Sequence, residues 1–242
     1  MENVTFIFVN DGSSDNTATL LLQLQEISSS AVHICHLPEN KGKGEAVRTG
    51  FMYAFSCPFQ YVGFWDADLA TPLSSITKLL IILKQKKEKW MVLGARIPLF
   101  GRTIHRRYIR SILSYCYKRF VRLLFGVKIY DPLCGAKIFR INDALRVACG
   151  TPFLTRWSFD VELMIRLSRL AIQRGENIEQ KIYEEPLEKW TEMHNSKFRI
   201  RDFITVPYEL LRLKFEYLPF TTTSQRLSFS PTSSSQQPST VS

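Results

Sequence analysis

The stretch FWDADLATP at residues 64–72 sets two carboxylates, Asp66 and Asp68, one residue apart and directly after an apolar run. The run at 61–68 is typical of a buried strand, with the acids at its carboxyl end. Two neighbouring carboxylates repel each other unless a divalent cation such as Mg²⁺ or Mn²⁺ lies between them and a bound phosphate. The alternative is a solvated turn, or a cap for a helix at 72–86, because a bare Asp-x-Asp often arises by chance.

Segments typical of strands and helices alternate on both sides of this stretch. The predicted strands are 4–9, 31–37, 61–68, 89–96, 137–141 and 181–187. The predicted helices are 17–29, 45–55, 72–86, 104–126, 158–172 and 200–216. This alternation predicts a Rossmann-like α/β domain with a mostly parallel sheet, in which ligands bind at the carboxyl ends of the strands. Those ends carry four charged residues, namely Asp11, Asp66, Asp68 and Arg96.

The composition bounds the class of protein. The chain has 242 residues, of which 45% are hydrophobic, and this suits one domain with a substantial core. Its net charge of +10 indicates an anionic partner: a nucleic acid, an anionic membrane surface or a phosphorylated substrate. The five cysteines form no CxxC pair, so we expect reduced thiols. No apolar run reaches ~18 residues, so we expect no transmembrane helix, and the first residues do not resemble a signal peptide.

The positive charge is concentrated in the segment 104–126, which mixes basic and apolar residues at helical spacing. No acid occurs between Glu88 and Asp131. This pattern favours an amphipathic helix or helix pair at an anionic membrane surface, and 203–220 has a similar character. The alternative is a helix packed on the core with a solvated basic face. Residues 221–242 are rich in Ser, Thr, Gln and Pro and predict a disordered tail after a catalytic domain at 1–220.

Several motifs follow one another in a fixed order along the chain. They are VNDGSSD at 9–15, NKGKG at 40–44, DAD at 66–68, GAR at 94–96, DPLCGAK at 131–137 and FDVE at 159–162. In series they resemble the family 2 glycosyltransferases with a GT-A fold, and within them the polyprenyl-phosphate (dolichyl-phosphate) sugar synthases. The resemblance covers residues 4–215. That family opens with one more strand, so we expect the catalytic domain of this chain to be N-terminally incomplete.

The resemblance implies a donor site for a nucleotide sugar. It implies that Asp11 contacts the nucleoside, with Lys43 and Arg48 near the same edge. It places Asp66 at the ribose or the metal, and Asp68 at the metal, Mg²⁺ or Mn²⁺. Read without the resemblance, the segment around Asp11 is a capped turn that leads into a helix, and the segment around Lys43 is a flexible basic loop.

The resemblance also implies an acceptor site for a lipid phosphate. Arg96 and Arg107 would hold that phosphate as catalytic residues, with Arg106 and Ser111 beside them. A phosphate monoester is already an anion near neutral pH, so it can attack the anomeric carbon without a general base. The proposed step is one in-line displacement with inversion. Four further substrate contacts are implied: Asp131 and Asp160 at sugar hydroxyls, and Ser196 and Lys197 in a closing loop.

A few positions in the sequence bear on the choice of donor sugar and on the alternative functions. Many mannose-transferring relatives carry Gln where this chain has Ala70, and Ala70-Thr71 favours UDP-glucose. The expected place of action is a membrane surface on its cytosolic side, at the endoplasmic reticulum in a eukaryote or the plasma membrane in a bacterium. One alternative is a transferase with another acceptor, such as a polysaccharide, although Phe153 stands where the processive Gln-x-x-Arg-Trp motif has Gln. The others are an inactive truncated relative and a basic nucleic-acid-binding protein, and the ordered motifs disfavour the latter.

Overall fold

The computed structural model describes residues 4–97, 99, 103–105, 108–126, 129–191 and 202–217, with the side chains of 103–105, 108–116 and 202–204 left outside the description. The strands are β1 (Phe6–Asp11), β2 (Val32–Leu37), β3 (Tyr61–Trp65), β4 (Met91–Ala95), β5 (Thr103–His105), β6 (Ala136–Arg140), β7 (Ile182–Pro186) and β8 (Lys189–Thr191). The helices are α1 (Thr17–Ile27), α2 (Lys43–Phe55), α3 (Ser75–Gln85), α4 (Tyr108–Phe125), α5 (Asp143–Cys149), α6 (Phe159–Gln173), α7 (Ile178–Lys181) and α8 (Asp202–Tyr217). The α/β class is therefore confirmed, and all six predicted strands and six predicted helices occur near their expected bounds.

The largest sheet has the strand order β3-β6-β4-β7 and is mixed. Strand β6 lies antiparallel to both β3 and β4, whereas β7 lies parallel to β4. Strands β3, β4 and β7 therefore run in one direction, as a mostly parallel sheet predicts, and β6 is the one reversed strand of this sheet. The apolar pattern of 137–141 predicts a strand but carries no direction, because direction depends on where the preceding helix α4 delivers the chain. Strand β4 is buried along its whole length, as its unbroken apolar sequence predicts.

Because β6 pairs with β3, the residues just before β6 lie next to the acid pair Asp66 and Asp68. Trp65 at the end of β3 pairs with Ala136 at the start of β6. The amide of Asp66 donates to the carbonyl of Gly135 at 2.9 Å. The segment 131–136 therefore lies along the carboxyl end of β3, although about 65 residues separate the two in sequence.

Strands β1 and β2 form a separate parallel pair. Helix α2 packs against both β1 and β3, and its Phe51 joins a buried aromatic cluster with Phe64, Phe139 and Phe159. Helix α1, all of which lies within the described part of the chain, also contacts β1 and β2, and none of its residues is buried. Ile27 of this helix is 83% exposed. The core therefore lies between the four-stranded sheet and helices α2, α5 and α6.

A second apolar cluster joins helices α4, α6 and α8. Its buried members are Val121, Val161, Ile165, Leu210 and Leu213. The predicted helix at 104–126 is α4, preceded by the short strand β5 that pairs with β8. Within the described residues, none of the helices is both long and apolar enough to cross a membrane.

Candidate active site

The acid pair lies in a tight turn directly after β3. The carboxylate of Asp66 is half-buried and receives the ammonium of Lys43 at 2.5 Å. Burial raises the pKa of Asp66, but Lys43 outweighs it, with help from Lys137 and Arg96, and the net pKa lies below the ordinary range for an aspartate. Asp66 is therefore ionised in the folded protein, and Lys43 is its counter-ion.

The Asp66 carboxylate occupies the space where a side chain at position 135 would lie, and this space is open because residue 135 is glycine. A Cβ atom at Gly135 would lie 1.8 Å from Oδ2 of Asp66 and 2.5 Å from Oδ1. No side chain other than hydrogen fits beside this carboxylate without displacing it. The glycine of the DPLCGAK motif is thus explained by the position of the first acid of the pair.

Asp68 lies at the exposed side of the same turn. Its Oδ1 accepts the amide of Ala70 at 3.0 Å, and the amide of Leu69 donates to the carbonyl of Asp66. Leu69 adopts φ 55°, in the left-handed region that costs a branched residue about 1–2 kcal/mol. The strained turn directs the Asp68 carboxylate to solvent while Asp66 stays beneath it.

The two carboxylates of this turn suit a divalent metal ion whose other ligands come from a diphosphate. Among the described residues, no three His, Cys, Asp or Glu side chains cluster as a complete metal site would require. Mg²⁺ commonly takes one or two protein carboxylates and fills its remaining positions with water and substrate phosphates. Asp66 and Asp68 supply two hard oxygen donors at the mouth of the turn, so they suit a metal that arrives with its nucleotide.

Asp11 ends β1 and shapes the loop 38–44, which leads into α2 and includes the first two residues of that helix. Its two carboxylate oxygens accept the amides of Lys41 at 2.7 Å and Gly42 at 2.9 Å. Asn40 donates its side-chain amide to the carbonyl of Asp11 at 3.1 Å. Gly42 has φ +94°, a conformation that strongly favours glycine. The predicted nucleoside contact of Asp11 remains a prediction, and the structure gives this residue a role in fixing the loop.

Arg48 does not join the acid pair. Its guanidinium donates to both oxygens of Glu45 in the same helix, at 2.8 and 2.7 Å, and lies 3.5 Å from the carbonyl of Cys149. The i,i+3 spacing of Glu45 and Arg48 is a signal for this pairing that sequence reasoning passed over. The structure therefore brings Lys43 to Asp66 and directs Arg48 toward α5.

Arg96 and Asp131 form a two-pronged ion pair at the end of β4. The guanidinium donates through Nε at 2.6 Å and through Nη2 at 2.7 Å, and the backbone amide of Arg96 adds a third bond at 3.0 Å. Lys118 of α4 approaches the same carboxylate at 3.1 Å, and Trp190 lies under the Arg96 guanidinium. Burial raises the pKa of Asp131, but the Arg96 hydrogen bonds and charge hold it well below its usual range.

This geometry assigns Asp131 a structural task. Its side chain is 0% exposed, and it joins the end of β4 to helix α4. Its backbone amide and that of Tyr130 donate to Glu184 of β7. Asp131 thus orients Arg96, whose predicted contact with an acceptor phosphate remains a prediction. The predicted contact of Asp131 with a sugar hydroxyl also remains a prediction.

Asp160 lies at the start of α6 in a pair that sequence reasoning missed. The ammonium of Lys137 donates to Asp160 at 2.8 Å and to the carbonyl of Cys134 at 2.8 Å, and its side chain is 1% exposed. It also lies 4.9 Å from the centre of the Phe64 ring. A lysine inside the buried strand AKIFR was the available signal, because a buried ammonium requires a partner. Lys43, Asp66, Lys137 and Asp160 thus form one cluster of alternating charge.

Some predicted site residues fall outside the description. Arg106, Arg107, Ser196 and Lys197 lie outside the described residues, as does the predicted tail at 221–242. Ser111 lies in the first half of α4, with its side chain outside the description. Their assigned roles remain predictions.

Comparisons with known proteins agree with the resemblance drawn from the motifs. Residues 1–146 match the family model described as Glycosyl transferase family 2. A dolichyl-phosphate beta-glucosyltransferase of Dictyostelium discoideum is 30% identical over 218 residues, which cover 88% of this chain and 63% of that protein. A protein of the same name from Mus musculus is 32% identical over 219 residues, which cover 88% of this chain and 64% of that protein. The chain therefore spans less than two thirds of the length of these relatives.

A solved structure extends the comparison to the fold. Glucosyl-3-phosphoglycerate synthase from Mycobacterium tuberculosis, crystallised with Mn²⁺ and UDP-glucose, gives a TM-score of 0.59 at 17% identity, covering 90% of this chain and 69% of that one. This likeness confirms the GT-A type of fold. Because the family model matches well over half of its residues, the chain belongs to glycosyl transferase family 2.

Proposed function

We propose that this chain transfers glucose from UDP-glucose to a polyprenyl phosphate, dolichyl phosphate in a eukaryote, with inversion at the anomeric carbon. The observation that carries the proposal is the strained turn after β3, which presents Asp66 and Asp68 beside Lys43 at the carboxyl end of the strand. The names of the relatives, dolichyl-phosphate beta-glucosyltransferases, support the choice of sugar and acceptor. The UDP-glucose and Mn²⁺ bound by the structural neighbour support the choice of donor and metal.

The donor would bind between the loop 38–44 and the acid pair. The Lys43 ammonium and the N-terminus of α2, to which this loop leads, suit a diphosphate, because both favour negative charge. Asp66 and Asp68 would hold Mg²⁺ or Mn²⁺ against the diphosphate. The metal, when bound, supplies Lewis-acid charge that stabilises the leaving nucleoside diphosphate.

The acceptor phosphate would lie on the side of Arg96. Asp131 accepts from Nε and Nη2 and so holds the Arg96 side chain in a single orientation, and a guanidinium carries five N–H donors, more than one carboxylate uses. The phosphate attacks as an anion, so the site needs cations at the acceptor rather than a general base. The rate acceleration then comes mainly from positioning two anions in line and neutralising their repulsion.

We extend the proposal to a membrane surface, on its cytosolic side, where a lipid acceptor resides. Helix α8 is in contact with α4 and exposes three large side chains, Tyr208, Leu211 and Phe215, the last of them 79% exposed. Basic residues on the same two helices, Arg119, Arg122, Arg212 and Lys214, would face anionic headgroups. Apolar side chains flanked by cations suit an interfacial position rather than a nucleic acid, which would require no apolar face.

A transfer assay tests the proposal. The chain would be incubated with Mn²⁺, dolichyl phosphate in detergent, and labelled UDP-glucose or GDP-mannose in parallel. We expect a metal-dependent glucolipid from UDP-glucose alone, abolished by Asp68→Asn and retained by Asp143→Asn, a matched change at an exposed acid of α5. Product from GDP-mannose would contradict the choice of sugar, and no product from either donor would contradict the proposed activity of this chain.

A further inference from the structure

Arg156 contacts the loop 38–44, which we call the donor loop. Its Nη2 atom donates to the carbonyl of Asn40 at 3.1 Å and to the side-chain oxygen of Asn40 at 2.5 Å. The carbonyl of Arg156 accepts the amide of Gly44 at 3.0 Å. A Cβ atom at Gly42 would lie 2.8 Å from Nε of Arg156, so the arginine stem covers this glycine closely. One residue thus contacts the donor loop at three of its positions.

Arg156 is itself held by helix α8. The carboxylate of Glu209 accepts the amides of Arg156 at 2.9 Å, Ser158 at 2.9 Å and Trp157 at 3.4 Å. Glu209 is buried although it is an acid, and these three amides directly precede α6. A carboxylate that receives successive amides at a helix N-terminus is strongly favoured, so the backbone of Arg156 has a fixed position.

The donor loop is therefore held by two separate elements of the fold. Asp11 accepts the amides of Lys41 and Gly42 from the side of β1. Arg156 holds Asn40 and Gly44 from the side of α6. A glycine-containing loop loses much backbone freedom when it is fixed, and prior fixation removes that loss from the binding of a ligand.

We propose that Arg156 is a positioning residue for nucleotide binding, and that Glu209 fixes Arg156 for this purpose. Arg156 acts on Asn40 through its side chain and on Gly44 through its backbone carbonyl, and so holds the backbone of the donor loop in the conformation that receives the nucleotide. This inference rests on the proposed function, because it takes the donor loop as the nucleotide site. Arg156 and Trp157 match the last two residues of the processive Gln-x-x-Arg-Trp motif, but Phe153 replaces its Gln. The proposed role of Arg156 accounts for this arginine without a polysaccharide acceptor.

The test compares Arg156→Ala and Arg156→Lys with the wild-type chain, and Arg146→Ala is the matched control. Arg146 is an exposed arginine of α5 that donates to the carbonyl of Phe55 and does not contact the donor loop. We expect Arg156→Ala to raise the dissociation constant of UDP with Mn²⁺ about tenfold, since it removes two exposed charge-assisted hydrogen bonds. The KM for UDP-glucose should rise alike, while kcat and the KM for dolichyl phosphate stay unchanged.

Arg156→Lys separates geometry from charge. A lysine keeps the positive charge but lacks the rigid planar fork, so we expect it to restore only part of the UDP affinity. Glu209→Gln, which keeps the shape and weakens three hydrogen bonds, should act in the same direction with a smaller effect. Arg146→Ala should bind UDP as the wild type does. Equal UDP affinity in wild type and Arg156→Ala would overturn the inference, as would a fall in kcat with donor KM unchanged.

Amide hydrogen exchange gives a readout that does not depend on the proposed function. In Arg156→Ala we expect faster exchange at residues 40–44 and unchanged exchange in β4 and β6. Unchanged exchange at the loop would overturn the positioning role even if the chain binds UDP. Faster exchange at the loop in a chain that binds no UDP would instead overturn the proposed function and the nucleotide role of the loop.

Discussion

Replacing Gly135 by alanine tests how finely the first acid of the pair has to be placed. The new Cβ would lie 1.8 Å from Oδ2 of Asp66 and 2.1 Å from its Cγ, whereas ordinary contact begins at 3.4 Å. The carboxylate therefore has to move by about 1.6 Å, or β6 has to separate from β3. A misplacement of about 1 Å can cost roughly a hundredfold in rate, and a hundredfold corresponds to about 2.7 kcal/mol.

We expect Gly135→Ala to lower kcat/KM for UDP-glucose by about a hundredfold in the transfer assay, because Asp66 leaves both Lys43 and the metal position. Gly135 is not among the described glycines with positive φ, so the effect is steric and not conformational. Gly150→Ala is the matched control, since a Cβ there meets its nearest atoms at 3.3 and 3.4 Å. Thermal unfolding of both variants separates loss of the site from loss of the fold. Wild-type activity and metal dependence in a folded Gly135→Ala would refute the reasoning.

Three further predictions concern charged groups. Lys43→Ala should strengthen Mn²⁺ binding in the absence of nucleotide, because the Lys43 ammonium pairs with the Asp66 carboxylate and competes with the metal for it. The same change should weaken UDP binding. Mn²⁺ paramagnetic resonance and calorimetry measure the two affinities, and weakening of both would contradict a competing role for Lys43. Glu162→Gln should lower the free energy of unfolding, measured in urea, by about 3 kcal/mol. The reason is that the fully buried Glu162 carboxylate accepts the amides of 154 and 155 and pairs with Arg166. A loss below about 1 kcal/mol would contradict a stabilising role for this carboxylate. Because the pKa of Asp131 is lowered in the folded protein, its ionised form stabilises the fold above the ordinary pKa of 3.8, and this contribution is lost as the pH falls toward the folded-state pKa. Asp131→Asn should therefore be less stable than the wild type at pH 7 and should lose less stability between pH 5 and pH 2. Parallel profiles of stability against pH would contradict a lowered pKa for Asp131.

The strand ends were predictable from the sequence because they depend on local patterns. An unbroken apolar run followed by Asp66 and Asp68 indicates a buried strand with acids at its exit, whatever its neighbours are. The same holds for Asp11 after β1 and for Arg96 after β4.

The contacts of the site depend on tertiary placement and could not be predicted in the same way. The direction of β6 brings Gly135 beside Asp66, and no periodicity in residues 136–140 encodes that direction. The short elements α5, α7, β5 and β8 were missed because three to seven residues carry little periodic signal. Lys137 was recognisable in principle as a charged residue within a buried strand, but its partner Asp160 becomes its neighbour only through the packing of α6.

The measurement that tests the account most directly is calorimetric titration of the chain with UDP in Mn²⁺ and in a chelator, for the wild type and for Asp68→Asn. The central claim is that the turn after β3 binds a metal together with a diphosphate. It predicts UDP binding by the wild type in Mn²⁺, at least tenfold weaker binding in the chelator, and the weaker value in both conditions for Asp68→Asn. Equal UDP affinity with and without metal, or an Asp68→Asn variant that keeps the wild-type metal dependence, would contradict the claim.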